Sequence, residues 1–324
     1  MKNLNCKNCG AAMMFDSSAM TASCRFCGTK YVLSREDTDY FNDFYSTLSG
    51  LLGAGKNEEE RKKRAEKVWE MAEEKVFECS DGTEIGIRYL HFQSLDSAEI
   101  YTARRNIAFH FKAGDQAKAE RFRKTVSLID YPSADTKHLA NFFPNIIGGF
   151  TLSDGSSLLV ISKDEDEYPL CLFSGLDGRH AAWIISRIEN LCCVLEYNGI
   201  VHPQINPAAL YINPYLHQAN LYGGWWLAGR KNSMSADGKM FLKMQDNLTG
   251  LRNTAANVLG FEKASDVCEN MKIPKALSDF IRSAPCEDAY DDFSYWDKML
   301  IRAYGERKFI EFETDDEQIY GKDT

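Results

Sequence analysis

The sequence predicts an α+β chain of four successive parts: a small cysteine-pinned module, a helical linker, a strand-rich segment and a helix-rich segment. Three observations carry that expectation. Cysteines recur near the start as two C-x-x-C-G pairs. Between residues 81 and 165, short apolar runs are broken by turn-forming residues. From residue 178 onward, apolar residues recur at helical spacing. The expected divisions are residues 1–34, 35–80, 81–165 and 166–312, followed by an acidic tail over 313–324.

The chain has 324 residues, enough for two domains with cores that need no covalent staples. Its apolar, aromatic and charged fractions are those of a soluble globular protein. No apolar run approaches the roughly 18 residues that a membrane-spanning helix needs, and no membrane role is expected. The opening residues are polar and do not read as a secretion signal. A net charge of -9 argues against a general binder of nucleic acid or anionic membrane. Of ten cysteines, six (Cys79, Cys171, Cys192, Cys193, Cys268, Cys286) lie in apolar segments and read as buried free thiols. That usage points to a reducing, cytoplasmic setting.

Cys6, Cys9, Cys24 and Cys27 form C-x-x-C, fourteen residues, C-x-x-C, each pair followed by glycine. Two thiolates two residues apart reach one ion only where the chain turns sharply, and Gly10 and Gly28 permit such turns. Four thiolates make a closed tetrahedral site, so a single structural zinc ion is expected rather than a catalytic one, which keeps a position open. The competing reading is coincidental cysteines or two disulfides. Met13 to Phe15 and Met20 to Ser23 read as short strands between the knuckles. The module resembles a zinc ribbon. Lys2, Lys7, Arg25 and Lys30 make it mildly basic, so nucleic acid is a possible partner here alone; a folding staple or protein-docking knob is the plainer reading.

Residues 36–52 place Tyr40, Phe41, Phe44, Tyr45, Leu48 and Leu52 on one helical face. Asn57 followed by Glu60 starts a second helix expected to run to about Phe77. Strands follow at Ile85–Phe92, Glu99–Thr102 and Ile107–Phe111. Asp115 opens a helix with Phe122, Val126 and Ile129 on one face. Phe150–Leu152 and Ser157–Ile161 pair across Asp154-Gly155. The run Asp164 to Glu167 reads as a solvated loop. Gly178 to Asn198 is apolar nearly all round, a buried helix ended by Gly199. Leu210 and Ile212, then Ala219 and Leu221, alternate across a turn as a small hairpin. Later helices start near Asp246, lie between Pro274 and Pro285, and run from Asp288 to Tyr304 with Phe293, Trp296 and Leu300 in register. The tail is expected to fray.

Three strands, a helix, two strands, a buried helix, a loop that begins with His202, a hairpin and a glycine: this order resembles a protein kinase. The resemblance covers roughly residues 81–312. It rests on Gly199-Ile200-Val201-His202, Asn206-Pro207 and Leu221-Tyr222-Gly223-Gly224-Trp225-Trp226, with Asp288-Ala289 and Tyr304-Gly305-Glu306-Arg307-Lys308-Phe309 further on. The whole run looks like a divergent group of bacterial and phage kinase-like proteins. The resemblance implies a two-lobed fold and places the expected chemistry residue by residue. His202 and Pro207 match the catalytic-loop pattern. Gln204 stands where the catalytic Asp belongs, Ala209 where the metal-binding Asn belongs, and Tyr222 where the Asp of D-F-G belongs. The turn that should hold phosphates reads Gln93-Ser94-Leu95-Asp96-Ser97-Ala98, without glycine. His110 falls in the register of the strand lysine, with Lys112 two residues on and Glu120 as a candidate helix partner. Asp246 resembles the residue that braces the catalytic loop.

Phosphoryl transfer depends on metal ions, the lysine and positioning groups. Gln204 is no base near neutral pH, and neither Ala209 nor Tyr222 is an ordinary Mg²⁺ ligand. Losing one such group costs on the order of 3 kcal/mol in transition-state stabilisation. The resemblance therefore implies a pseudokinase without use of Mg·ATP, acting as a protein-binding or scaffolding subunit. The alternatives are a nucleotide-dependent enzyme using Lys112 and Glu120, and a nucleic-acid adaptor working through the ribbon.

Overall fold

The computed structural model describes the backbone of residues 13–16, 21–24, 30–32 and 54–321, less 132–133, 236–237, 239–240, 306–309, 311 and 313; side chains are described from residue 61 onward, less 132–137 and those same gaps. The expected aromatic helix over 36–52 lies outside the described residues, as do Cys6, Cys9, Cys27 and the side chain of Cys24. The chain divides into two compact units: residues Met1–Glu70 with Gly305–Thr324, and residues Met71–Tyr304.

In the first unit, β1 (Met13–Asp16), β2 (Thr21–Cys24) and β3 (Lys30–Val32) form a three-stranded antiparallel sheet. The strands expected between the cysteine pairs are present. Met13 pairs with Cys24, so the chain enters β1 and leaves β2 at the same end of the hairpin. Helix α1 spans Ala54–Glu70 and ends well before Phe77. The tail is not frayed throughout, because its acids have partners. Trp69 Nε1 donates to Asp316 Oδ2 at 2.7 Å, Arg64 pairs with Asp315, and the Trp69 and Tyr320 rings meet edge to face at 6.3 Å. A short helix over Asp316–Tyr320 forms there, its first turn capped by the Asp315 carboxylate. Burying an indole N–H requires an acceptor, and the tail supplies it.

The second unit opens with a hairpin of β4 (Glu73–Glu78) and β5 (Glu84–Tyr89), where one longer helix and one longer strand were expected. Local preference for helix in the Glu-rich stretch is overridden by packing: Phe77 and Ile87 turn inward against Tyr101, Ala108, Leu158 and Val160. Beneath lies a five-stranded antiparallel sheet in the order β6 (His91–Ser94), β7 (Glu99–Thr102), β8 (Asn106–Phe111), β10 (Ser157–Ser162), β9 (Asn145–Thr151). Period-two alternation gives each strand two faces. One face carries Tyr101, Ala108, His110 and Leu158 toward the hairpin; the other carries Ile100, Thr102, Ile107, Phe109 and Phe111. Helix α2 (Gln116–Val126) follows β8 and buries Phe122. The turn expected at Asp154-Gly155 joins β9 and β10, with Gly155 at φ +81° and Asp154 Oδ1 accepting from Ser156 N.

The helical lobe is built on α3 (Gly178–Asn198), whose expected limits hold; Gly199 closes it in the left-handed region at φ +59°. The strand β11 (Tyr168–Pro169) joins β13 (Leu210–Asn213) and β14 (Gln218–Leu221), the expected hairpin with Leu210 opposite Leu221. Two two-residue strands, β12 (Ile200–Val201) and β15 (Gly229–Arg230), flank it as a pair. Helices α4 (Gln245–Val258), α5 (Lys275–Arg282) and α6 (Ala289–Tyr304) complete the lobe. The buried face of α6 is Ala289, Asp292, Trp296 and Met299 rather than the all-apolar register expected, because Asp292 turns inward to Arg252. Cys171 and Cys268 are exposed, against the expectation of buried thiols. The unit has the two-lobed α+β kinase-like order of elements. No described helix is long and apolar enough to cross a membrane.

Candidate functional site

The loop after β12 is held rigidly. His202 is fully buried, and its Nε2 lies 2.9 Å from the Gly223 carbonyl, which makes Nε2–H the donor. Burial pushes the ring down to about 4, so it stays neutral at physiological pH. The bracing residue is Asn247, not Asp246. Its Oδ1 accepts from His202 N at 2.7 Å and its Nδ2 donates to Ile200 O at 3.1 Å. Asp246 instead accepts from Lys243 N at the start of its own helix. At Gly250 a Cβ would stand 2.7 Å from Ile205 O, so α4 approaches the loop only because glycine is there. Asn206 locks the loop from within: its Oδ1 accepts from Ala208 N and Ala209 N, and its Nδ2 donates to Gln204 Oε1 at 2.7 Å.

The structure places Ala209, Tyr222 and Gly223 together. Tyr222 N and Gly223 N both donate to Ala209 O, at 3.0 and 2.9 Å. Tyr222 is 3% exposed, and its hydroxyl donates to Glu167 Oε2 at 2.9 Å. Glu167 is no part of a solvated loop. It is buried, and also accepts from Asn220 Nδ2 at 2.7 Å and Asp164 N at 2.9 Å. Burial pushes Glu167 up to about 7, while these donors and the neighbouring Lys163 pull the other way. A buried tyrosine hydroxyl and a buried carboxyl are thus bonded to each other.

Side chains bridge the two lobes. Tyr211, on β13 in the floor, reaches across to the roof, with its hydroxyl 2.9 Å from Thr102 Oγ1 on β7; both residues are buried. Its ring lies 5.5 Å from that of Tyr222. Deeper in, the roof residues Phe109 and Phe111 meet Phe122 of α2 and Trp226 of the loop after β14. Phe109 to Phe122 is 5.2 Å, Phe111 to Trp226 is 5.5 Å, and Phe122 stacks on Trp226 at 6.3 Å.

A strand lysine that pairs with a helix glutamate must lie on the face of β8 turned toward α2. That face carries Phe109 and Phe111, and the inward position of α2 carries Phe122. His110 is on the opposite face, hydrogen-bonded to Glu99 and Ser156 at 3.0 Å each and against the Phe77 ring. Lys112 lies beyond the strand end, exposed; Glu120 is exposed on the outer side of α2, and no ion pair joins them. Parity along the strand already separates His110 from Phe109, and the inward anchor Phe122 already turns Glu120 outward. The β6–β7 turn is closed by Leu95 N to Ala98 O at 2.9 Å, with Ala98 buried.

Sequence reasoning missed Tyr211 and Glu167. Tyr211 sits on the inward side of a strand that reads simply as hydrophobic. Glu167 ends an acidic run and gives no sign of burial except Tyr168-Pro169 directly after it. Among the described residues, no cluster of three His, Cys, Asp or Glu side chains is arranged to hold a metal ion.

No protein-family profile matches the chain, and no curated relative does. Among solved structures it is similar to a Toxoplasma gondii rhoptry antigen kinase domain, at 9% identity and a TM-score of 0.47, over 72% of this chain and 87% of that one. It is also similar to vaccinia-related kinase 3, at 13% identity and a TM-score of 0.49, over 70% of this chain and 91% of that one.

Proposed function

We propose that this chain is a catalytically inactive kinase-like protein that serves as a protein-binding or scaffolding subunit and carries a structural zinc ribbon. The observation that carries the reading is the set of side chains bridging the lobes. Tyr211 bonds to Thr102 with Tyr222 beside it, and four aromatic rings stand where a lysine–glutamate pair would lie. The positions aligned with the kinase metal ligands carry Ala209 and Tyr222. With chemistry absent, what the fold offers is a rigid surface. The exposed positions of Lys112 and Glu120 give no support to a nucleotide-dependent enzyme built on them.

The test is a thermal melt of the full chain with ATP, with and without Mg²⁺, alongside transfer of labelled phosphate to itself or a generic basic protein. A ligand at a hundred times its dissociation constant would add about 2.7 kcal/mol. The expected result is no shift and no transfer. A Mg²⁺-dependent rise in Tm together with transfer would refute the reading.

The zinc assignment rests on the cysteine spacing, with the β1–β2 hairpin setting Met13 opposite Cys24. Metal analysis of protein purified without added zinc is expected to find one zinc per chain, released only after thiol modification. Cys24→Ser is expected to lose it, because a closed tetrathiolate site needs all four ligands. A chain that carries no zinc, with its cysteines labelled only after reduction, would favour disulfides.

A further inference from the structure

The five-stranded sheet ends on one side at β9, and the outer side of that strand is only partly covered. Along a strand, the backbone groups of successive residues point alternately to the two sides. Leu152 N donates inward to Ser156 O, on the chain leading into β10. Thr151 O accepts from Ser80 N and Ser153 N donates to Glu78 O, both on the outer side. The odd-numbered residues therefore turn their N–H and C=O outward. Glu78 to Ser80 cover the edge at that end, with Cys79 opposite Leu152. Beyond them the edge is bare. Among the described residues, no hydrogen bond reaches the outward N–H or C=O of Gly149. A bulge at Ile147 then ends the regular stretch.

The two faces beside this bare edge differ. Gly149 lies opposite Leu159, on the face turned toward α2. There the guanidinium of Arg123 on α2 fills the place that a Cβ at Gly149 would take. Arg123 is half-buried, and among the described residues it has neither a carboxylate nor any other acceptor. On the opposite face the Phe150 ring lies along Gly148 and is 38% exposed, and Ile147 nearby is 57% exposed. The strand Asn145–Thr151 carries no charged residue, whereas edges kept free of partners commonly carry one.

We propose that the β9 edge takes an extended segment of a partner protein as an added strand, with an acidic residue opposite Gly149 and apolar residues on either side of it. A strand paired with Gly149 exchanges backbone hydrogen bonds with its outward N–H and C=O. The incoming residue opposite Gly149 points to the same face, where the guanidinium can hold its carboxylate through two parallel N–H donors. Its neighbours, by period two, point to the face of Phe150. Backbone pairing supplies affinity and the two unlike faces supply selectivity. This partner class rests on the reading of the chain as a protein-binding subunit.

The experiment selects a phage-displayed library of random short peptides on the full chain and measures the recovered peptides by fluorescence anisotropy. The expected binders share an acidic residue flanked by β-branched or aromatic ones. Arg123→Gln removes the charge. In Gly149→Ala the new Cβ displaces the guanidinium, the far end of a flexible side chain, and leaves the β9 backbone in place. Each change is expected to weaken binding at least about tenfold. Bound peptide should also slow hydrogen exchange of the Gly149 amide. No binders, binders that neither variant weakens, or unchanged exchange at Gly149 overturns the proposal. A dimer of the free chain in sedimentation, lost in both variants, also overturns it, because a second copy would then occupy the edge. The melt with ATP and the phosphate-transfer assay do not involve β9, so failure here and failure of the inactive-kinase reading are told apart.

Discussion

Trp226→Ala is expected to destabilise the second unit by about 3–5 kcal/mol, the range for deleting a fully buried large aromatic. Trp226 is 2% exposed and touches both lobes: the rings of Phe109 and Phe111 in the sheet and of Phe122 on α2. Removing the indole opens a cavity that these three rings cannot collapse into, because each is fixed by its own strand or helix. The loss should appear in equilibrium unfolding as a lowered midpoint, and in hydrogen exchange as reduced protection of β8 and α2. The control is Lys112→Ala with Glu120→Ala. Both side chains are exposed and lie in no ion pair with each other, so each change should stay within about 0.5 kcal/mol. If the charged pair cost more than the tryptophan, the aromatic cluster would not be what joins the lobes here.

Gly224→Ala should cost about 2–4 kcal/mol and release the loop that follows β12. Two penalties add. Gly224 sits at φ +78°, where a side chain costs about 1 kcal/mol. The new Cβ would also stand 2.7 Å from Gln204 Cβ and 2.8 Å from His202 Cε1. Neither neighbour can yield: Gln204 is tied to Asn206, and the His202 ring is pinned between Gly223 O and the edge of Trp225. Overpacking of that kind costs about 1–3 kcal/mol more. Gly155 gives the comparison. It has a similar φ of +81° with nothing within 4 Å of the added atom, so Gly155→Ala should show the backbone penalty alone. Chemical unfolding of the two variants separates strain from collision. Equal losses would mean that the loop around His202 is softer than its hydrogen bonds suggest.

The kinase-like order was legible because its elements declare themselves locally. Gly178 to Asn198 is apolar nearly all round and stops at a glycine, and that is enough to specify a buried helix and its end. Leu210 to Leu221 alternates at period two across a turn, which fixes both hairpin and register. The spacing that sets Gln204, Ala209 and Tyr222 against the kinase motifs is likewise a property of the chain. The hairpin over Glu73–Tyr89 was not: a Glu-rich stretch reads as helix until a sheet face needs Phe77 and Ile87 to cover it.

What the sequence determined by itself is therefore most of the series of elements. What only the tertiary structure decided is where the polar and aromatic side chains go once lobes and helices meet. Glu167 and Asp292 are ordinary surface residues by composition, and each is buried because a donor from a distant segment waits for it: Tyr222 and Asn220 for one, Arg252 for the other. Tyr211 could have faced anywhere until Thr102 gave its hydroxyl a partner across the cleft. Burial of a polar group is settled by the pairing of residues far apart in the chain, and no local pattern encodes that pairing.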